Sequence, residues 1–306
     1  MDYVLRTFGL TKKYKKHLAV NDANMNIARG DIYGFVGENG SGKTTIIRLI
    51  TGLIFAQSGR FELFGIPHDS AEIRSARRKV GAVVESPSIY QNMSAYDNLK
   101  MQCMVLGLPD DERIEKTLDI VGLGYLLKDK KHVSNFSLGM RQRLGIAMAL
   151  LGEPEFLILD EPMNGLDPAG IVEVRELILK LNREHNITFL ISSHILTELS
   201  LVATKYGIIS KGHIIKEITA AELQQELAKT TNITVDKPEA LTELLGTLVN
   251  KDAISYIPDG IRIVGEIDLN AILTAIIGVG IRIISVNCHE TSFEDYYLET
   301  IGGKRA

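Results

Sequence analysis

Two kinds of hydrophobic pattern run along the chain, and together they predict an α/β core that is interrupted by helices. The nearly continuous apolar runs at 155–160 and 187–193 are typical of strands buried on both faces of a sheet. Helical spacing of apolar residues at 169–185 predicts an amphipathic helix between them. Further strands are expected within 1–35 and at 59–65, 80–84 and 206–218 (a hairpin), and further helices at 44–53, 70–79 and through most of the segment from about 94 to 150.

The segment after residue 220 has a pattern of its own. A strand, a helix, a hairpin, a helix and a strand are expected at 232–236, 238–249, 253–264, 268–280 and 281–287, and a last helix at 292–302. This β-α-β-β-α-β order is typical of a small ferredoxin-like α+β domain. We therefore predict two domains, 1–220 and 221–306, with a helical subdomain in the first. The polar residues of the second domain form no recognisable site, which favours a packing or dimer-stabilising role over ligand sensing.

The composition excludes several classes of protein. A net charge of −4 over 306 residues provides no basic field for nucleic acid. Cys103 and Cys288 lie far apart without metal-binding or redox spacing, which indicates reduced thiols in the cytosol. The N-terminal stretch has no signal-peptide pattern, and the longest apolar run, 271–281, is too short to cross a membrane. We expect a protein that does not span a membrane by itself but that could lie beside one as a subunit.

The stretch "GENGSGKT" at 37–44 matches the phosphate-binding pattern GxxxxGK[ST] and lies between a predicted strand and a predicted helix. Its glycines let backbone N–H groups face phosphate oxygens, and Lys43 reaches the β- and γ-phosphates. The Thr44 hydroxyl is a ligand for Mg²⁺. The alternative is a glycine-rich turn before a helix, which the strand–loop–helix context disfavours.

Carboxylates and a histidine follow two of the buried strands. Asp160 fits the one carboxylate that such a site needs for the Mg²⁺ shell, and the adjacent Glu161 fits a base for the attacking water. His194 follows the strand at 187–193. We expect this strand beside the strand at 155–160, so that the His194 ring can reach the same site. A second potential anion site is the helix N-terminus in "NFSLGM", 135–140; a plain helix cap is its alternative.

Taken in order, "GENGSGKTT", "FSLGMRQR", "LILDEP", "NGLD" and "SSH" resemble the motifs of the ATP-binding subunits of ABC transporters, over residues 3–220. The resemblance implies a P-loop ATPase with a mixed sheet and a helical subdomain, and ATP and Mg²⁺ as cofactors. It implies a head-to-tail homodimer in which each ATP lies between the P-loop of one copy and the signature helix of the other. It also implies polytopic membrane permease subunits as partners, no nucleic acid, and a cytoplasmic position on the inner face of the cell membrane.

The resemblance also assigns individual residues. Glu161 would be the catalytic base, His194 the γ-phosphate switch and Asp160 a member of the Mg²⁺ shell. Tyr14 would stack on adenine, although a surface aromatic in a basic loop is the alternative. The nucleotide would be held by Tyr14, Gly37, Asn39, Gly40, Ser41, Gly42, Lys43, Thr44 and Thr45 of one copy, and its γ-phosphate would be contacted across the dimer by Ser137 and Gly139. Asp167, also counted among the nucleotide-binding residues, would lie in the loop that couples the two sites.

Two positions depart from the family pattern. The signature motif LSGGQ is here "FSLGM", so that a polar contact of the glutamine is lost at Met140. The strand that normally ends in a glutamine near Mg²⁺ and the attacking water ends here in Glu85. For Glu85 we predict a catalytic and Mg²⁺-binding role or a role in coupling to the membrane partner through 86–93. A solvated charge at the end of a strand is the alternative.

Glu85, "MSAYDNL", "SLGMRQRLGIA" and the C-terminal "SFEDYYLETIGG" resemble the ATPases of bacitracin-resistance and lantibiotic-immunity exporters. That resemblance implies ATP-driven export of a peptide antibiotic through separate membrane subunits. Two alternatives stay open: the ABC ATPase of another small-substrate exporter, and a soluble ABC-type ATPase that acts on ribosomes or DNA. The single ATPase unit, and the absence of a long insertion between Lys43 and Ser137, disfavour the second alternative.

Overall fold

A computed structural model of the chain describes residues 2–227, 229–236, 241, 249, 253–257, 260–265, 267–289 and 292–302. The chain divides into two compact units, Met1–Ala220 and Ala221–Ala306. Among the described residues, no helix combines the length and the hydrophobicity that a membrane-spanning segment needs.

The first unit contains ten strands within the described residues: β1 Tyr3–Tyr14, β2 His17–Ala28, β3 Ile32–Val36, β4 Ser58–Leu63, β5 Ile66–Pro67, β6 Val80–Val83, β7 Phe156–Asp160, β8 Thr188–Ser193, β9 Lys205–Ser210 and β10 His213–Thr219. The helices up to residue 226 are α1 Lys43–Ile50, α2 Ile73–Arg77, α3 Ala95–Leu106, α4 Asp111–Ile120, α5 Leu138–Leu150, α6 Pro168–His185, α7 Leu196–Ser200 and α8 Ala220–Glu226.

The core of this unit is a mixed sheet with the order β10-β9-β3-β8-β7-β6, which confirms the predicted fold class. The neighbouring strands from β9 to β6 are parallel, and β10 runs antiparallel to β9. Every residue of β3, β7 and β8 is buried. Phe35, Ile158 and Leu190 of these strands belong to one apolar core cluster with residues of α1, β1 and β2. Since β3, β8 and β7 are adjacent and parallel, the residues that follow them lie at one edge of the sheet.

A smaller antiparallel sheet, β2-β1-β4-β5, is joined to the core sheet by a polar network around Glu217. The Glu217 carboxylate accepts hydrogen bonds from the Tyr33 hydroxyl at 2.8 Å and from the Asn26 backbone N–H at 3.1 Å. It also pairs with Lys205 Nζ at 3.3 Å. Burial and the nearby carboxylate raise the pKa of the Tyr33 phenol well above its ordinary value, so Tyr33 stays a hydrogen-bond donor.

Local backbone signals set the ends of several elements. Ser94 and Asp97 form a capping box at the start of α3, and Gly107, with a φ of 66°, ends that helix. The helix predicted at 70–79 is only Ile73–Arg77. The strand predicted at 80–84 ends at Val83, and Glu85 has a φ of 61°, which does not continue a strand.

The second unit contains, within its described residues, β11 Thr230–Val235, β12 Ile254–Ile257, β13 Gly260–Val264, α9 Leu269–Gly278, β14 Ile283–His289 and α10 Phe293–Thr300. Its antiparallel sheet has the order β12-β13-β11-β14, and α9 packs on the apolar core of that sheet through Ile272 and Ile276. Most of the helix predicted at 238–249 and most of the turn at 258–260 lie outside the described residues. The ferredoxin-like assignment therefore stays a prediction.

Candidate active site

The phosphate-binding loop 37–42 joins β3 to α1, and close backbone approaches fix its shape. Gly40 and Gly42 have φ values of 81° and 115°, in the region that favours glycine. A Cβ atom at Gly42 would lie 2.6 Å from the Ala19 carbonyl oxygen, and one at Gly37 would lie 2.6 Å from the Ile209 carbonyl oxygen. The loop is therefore held against β2 and β9 in a conformation that other residues would not allow.

Lys43, the first residue of α1, directs its ammonium group into this loop. Its Nζ donates hydrogen bonds to the carbonyl oxygens of Gly37 at 2.6 Å and Glu38 at 3.3 Å. It also lies 3.4 Å from Glu161 Oε1, and its side chain is only 6% exposed. A single buried cation thus links the P-loop to the end of β7. Thr44 and Thr45 are half-buried beside it, and Asn39 is exposed.

Asp160, the last residue of β7, is 1% exposed, and its two carboxylate oxygens have different surroundings. Oδ1 accepts a hydrogen bond from the Ser192 hydroxyl of β8. Oδ2 is buried and has no hydrogen-bond partner within the described chain, and the same is true of Ser41 Oγ in the P-loop. A buried oxygen without a partner destabilises a protein, so its presence here fits a site that a ligand completes.

The donor set fits Mg²⁺ that is shared with a nucleotide. No group of three or more His, Cys, Asp or Glu side chains in the described part of the chain could hold a metal ion without further ligands. Mg²⁺ at phosphate sites is usually bound by one or two protein oxygens, with water and phosphate oxygens as the other ligands. The Thr44 hydroxyl and Asp160 Oδ2 are the oxygens of that kind here.

Glu161 follows Asp160, and its carboxylate lies between two other predicted site residues. His194 Nδ1 is 2.8 Å from Glu161 Oε2, and Lys43 Nζ approaches the other oxygen. The Glu161 backbone has a φ of 51° and is held by hydrogen bonds from its N–H to Ser192 O at 3.1 Å and Ser192 Oγ at 3.0 Å. A positive φ at a residue other than glycine strains the backbone, and such strain is concentrated at functional sites.

Ser192 is a residue that the sequence reasoning missed, although it lies in the quoted motif "SSH". Its hydroxyl donates to Asp160 and accepts from the Glu161 N–H, so it orients the Asp160 carboxylate and holds the Glu161 backbone. Only the pairing of β8 with β7, in which Asp160 lies opposite Ser192, brings these groups together.

The helix N-termini at Ser137 and Asp167 lie side by side. Ser137 caps α5 by accepting a hydrogen bond from Met140 N–H at 3.1 Å, and Asp167 caps α6 in the same way from Gly170 N–H at 3.1 Å. A Cβ atom at Gly139 would be 3.7 Å from the Gly170 Cα atom. Among the described residues, no hydrogen bond connects either N-terminus to the P-loop.

Tyr14 and Glu85, the remaining predicted residues, have contacts outside the P-loop. Tyr14 ends β1 and is exposed, with Lys12 Nζ 5.3 Å from its ring centroid. Glu85 forms an ion pair with Arg48 of α1. Among the described residues, no hydrogen bond or ion pair joins its carboxylate to Lys43 or Asp160. The structure therefore leaves the predicted Mg²⁺ and catalytic roles of Glu85 as predictions.

Comparisons with known proteins agree with this arrangement. The family model described as "ABC transporter" matches residues 20–164. The bacitracin transport ATP-binding protein BcrA of Bacillus licheniformis is 40% identical over 305 residues, which cover 99% of each protein. The lantibiotic transport ATP-binding protein SrtF of Streptococcus pyogenes is 44% identical over 226 residues, which cover 73% of this chain and 95% of that protein.

A solved structure leads to the same family. The structure of cbiO1 from Clostridium perfringens, part of the ABC transporter complex cbiONQ, superimposes with a TM-score of 0.66 and 31% sequence identity. The match covers 73% of this chain and 91% of that one. Together with the full-length similarity to the bacitracin transport protein, this match assigns the chain to its family. The chain belongs to the ATP-binding proteins of ABC transporters.

Proposed function

We propose that the chain is the ATP-hydrolysing subunit of an ABC exporter that moves a peptide antibiotic of the bacitracin or lantibiotic class through separate membrane subunits. The observation that carries the proposal is the convergence of Lys43, Asp160, Glu161 and His194 at the ends of three adjacent parallel strands. The substrate class rests on the names of the relatives that are similar over nearly the whole chain.

Each residue of the site has a distinct part in this proposal. A nucleotide phosphate offers Lys43 a stronger acceptor than the carbonyl oxygens of Gly37 and Glu38, because phosphate is charged. The Thr44 hydroxyl and Asp160 Oδ2 hold Mg²⁺, which neutralises phosphate charge when it is bound. Glu161 accepts the proton of the attacking water, and His194 holds its carboxylate in place.

A second copy of the chain completes the site in this proposal. The N–H groups at the start of α5, next to Ser137 and Gly139, can bind an anion. Because they have no hydrogen bond to the P-loop of their own copy within the described residues, we assign them to the γ-phosphate of the partner copy. Asp167, which caps the neighbouring helix α6, is assigned to the coupling of the two nucleotide sites.

The membrane partner is assigned to a groove of about 990 Å³ beside the edge strand β6. The loop after Glu85 contributes Ser86, Pro87 and Ser88 to this groove, and α5 contributes Gly145 and Met148. Three arginines line it, Arg74, Arg77 and Arg78, and no acidic residue does so among the described residues. A helix of the permease with apolar residues and at least one carboxylate fits these surroundings, and would place the chain at the inner face of the membrane.

Deletion of the gene in its own host, followed by complementation, tests the proposal. The unsubstituted protein should restore growth on bacitracin or on a lantibiotic, and Glu161→Gln should not. Glu176→Gln, which changes an exposed glutamate of α6, is the matched control and should restore growth.

Affinity purification from detergent-solubilised membranes should recover a polytopic membrane protein with each variant. Equal resistance with Glu161→Gln contradicts the proposed role of hydrolysis. Recovery of ribosomal RNA or DNA instead of a membrane protein would favour the soluble ATPase alternative.

A further inference from the structure

Glu85 and Arg48 form an ion pair that the function described above does not use. The Glu85 side chain is 58% exposed and that of Arg48 is 38% exposed, so both can move without disturbing the core. Glu85 also has a φ of 61°, which is unfavourable for a residue with a Cβ atom. A strained, exposed acid that pairs with a single cation is typical of a contact that can be exchanged.

The position of Arg48 on α1 relates this pair to the nucleotide site. Arg48 follows Thr44 by four residues, so the two residues share one face of the helix and lie about 6 Å apart along the axis. Because β6 runs parallel to β7 with Val83 opposite Leu159, Glu85 also follows the sheet at the edge where Asp160 and Glu161 lie.

The segment around Glu85 is fixed on both sides, which limits where its carboxylate can go. Val83 is hydrogen-bonded into the sheet beside Leu159 of β7. Pro87 packs on α5 so closely that a Cβ atom at Gly145 would lie 2.5 Å from its ring. The backbone on both sides of Glu85 is therefore anchored, and Arg48 is the ion-pair partner of its carboxylate.

We propose that Arg48 is a positioning residue for Glu85, which it holds away from the Mg²⁺ side of the site until Mg-ATP is bound. An unpaired carboxylate near the γ-phosphate would repel ATP that arrives without a divalent cation, and the Arg48 pair removes that repulsion. When Mg-ATP binds, the Glu85 carboxylate leaves the Arg48 guanidinium and turns toward the Mg²⁺ ligands Thr44 and Asp160. This inference rests on the proposed function, because it requires that the P-loop binds Mg-ATP.

Equilibrium binding of a fluorescent ATP analogue tests this exchange without hydrolysis. The quantity measured is the ratio of its dissociation constant in EDTA to that in excess Mg²⁺. Arg48→Gln frees Glu85, so the ratio should rise about threefold, the size expected when an exposed ion pair no longer competes. In the Glu85→Gln background, Arg48→Gln should leave the ratio unchanged. Arg48→Lys, which keeps the charge, should stay near the unsubstituted value.

Arg183→Gln is the matched control, because it removes the same charge from an exposed position in the last turn of α6. It should not alter the ratio.

A merely structural effect on α1 would change both dissociation constants by the same factor and leave the ratio constant, which would overturn the proposal. If Arg48→Gln changes the ratio equally in the unsubstituted protein and in the Glu85→Gln background, the proposal is overturned as well. If the unsubstituted protein binds no ATP analogue under either condition, the proposed function itself fails.

Discussion

Asp160→Asn should make the folded protein more stable without nucleotide and should remove its stabilisation by Mg-ATP. The carboxylate is buried, and Oδ2 has no hydrogen-bond partner within the described chain. Asparagine keeps the oxygen that accepts from the Ser192 hydroxyl and replaces the charged Oδ2 by a neutral NH₂ group. A buried polar atom without a partner costs about 1–3 kcal/mol, and more when it is charged. We therefore expect the substitution to raise the free energy of unfolding by about 1–2 kcal/mol.

These energies convert to shifts that a thermal melt resolves. For a unit the size of Met1–Ala220, 1 kcal/mol corresponds to about 2–4 °C, so Asp160→Asn should raise the melting temperature by about 2–8 °C. Mg-ATP at about 100 times its dissociation constant should add about 2.7 kcal/mol to the unsubstituted protein, and almost nothing to the variant.

Calorimetry with and without Mg-ATP measures both effects, and Asp69→Asn, at an exposed aspartate, is the control. A lower melting temperature for Asp160→Asn without nucleotide would refute the assignment of Oδ2 to a ligand. A full Mg-ATP shift in that variant would refute it equally.

Two further predictions concern stability. Glu217→Ala leaves the Tyr33 hydroxyl without its acceptor. The free energy of unfolding, measured in urea, should therefore fall by about 2–4 kcal/mol. A loss below about 0.5 kcal/mol would contradict the role of the network around Glu217. Hydrogen bonds from Lys79 and Arg29 lower the pKa of the Glu155 carboxyl below its usual 4.5. The contribution of Glu155 to stability is therefore present above pH 4.5 and is lost as the pH falls through the lowered pKa. Because Glu155 is 35% exposed, Glu155→Gln should destabilise the protein by only about 0.5 kcal/mol at neutral pH, and the difference should vanish in acid; a difference that grows in acid would contradict the pairing.

The P-loop could be predicted from the sequence because its information is local. The strand β3, the glycines and Lys43 are consecutive, and glycine at positions 40 and 42 is required by the backbone of that one loop. The buried strands β7 and β8 were equally predictable, since runs of apolar residues indicate strands that are covered on both faces.

Contacts between distant segments could not be predicted in the same way. The pair Glu85–Arg48 joins a strand end to a helix, and no periodicity in either segment indicates the other. Ser192 was visible in its motif, but its role depends on the register in which it lies opposite Asp160. The network around Glu217 likewise depends on how β2 meets the core sheet. Sequence patterns indicate elements and local sites, whereas register and sheet packing decide which side chains meet.

Hydrolysis of Mg-ATP by the purified protein tests the central claim most directly. The account predicts that the unsubstituted chain hydrolyses ATP and that Glu161→Gln reduces the rate about 10²- to 10⁴-fold while Mg-ATP still binds, because the variant keeps Lys43, Thr44 and Asp160 and loses only the base. Equal rates for the two proteins, or a variant that no longer binds Mg-ATP, would contradict the assignment of Glu161.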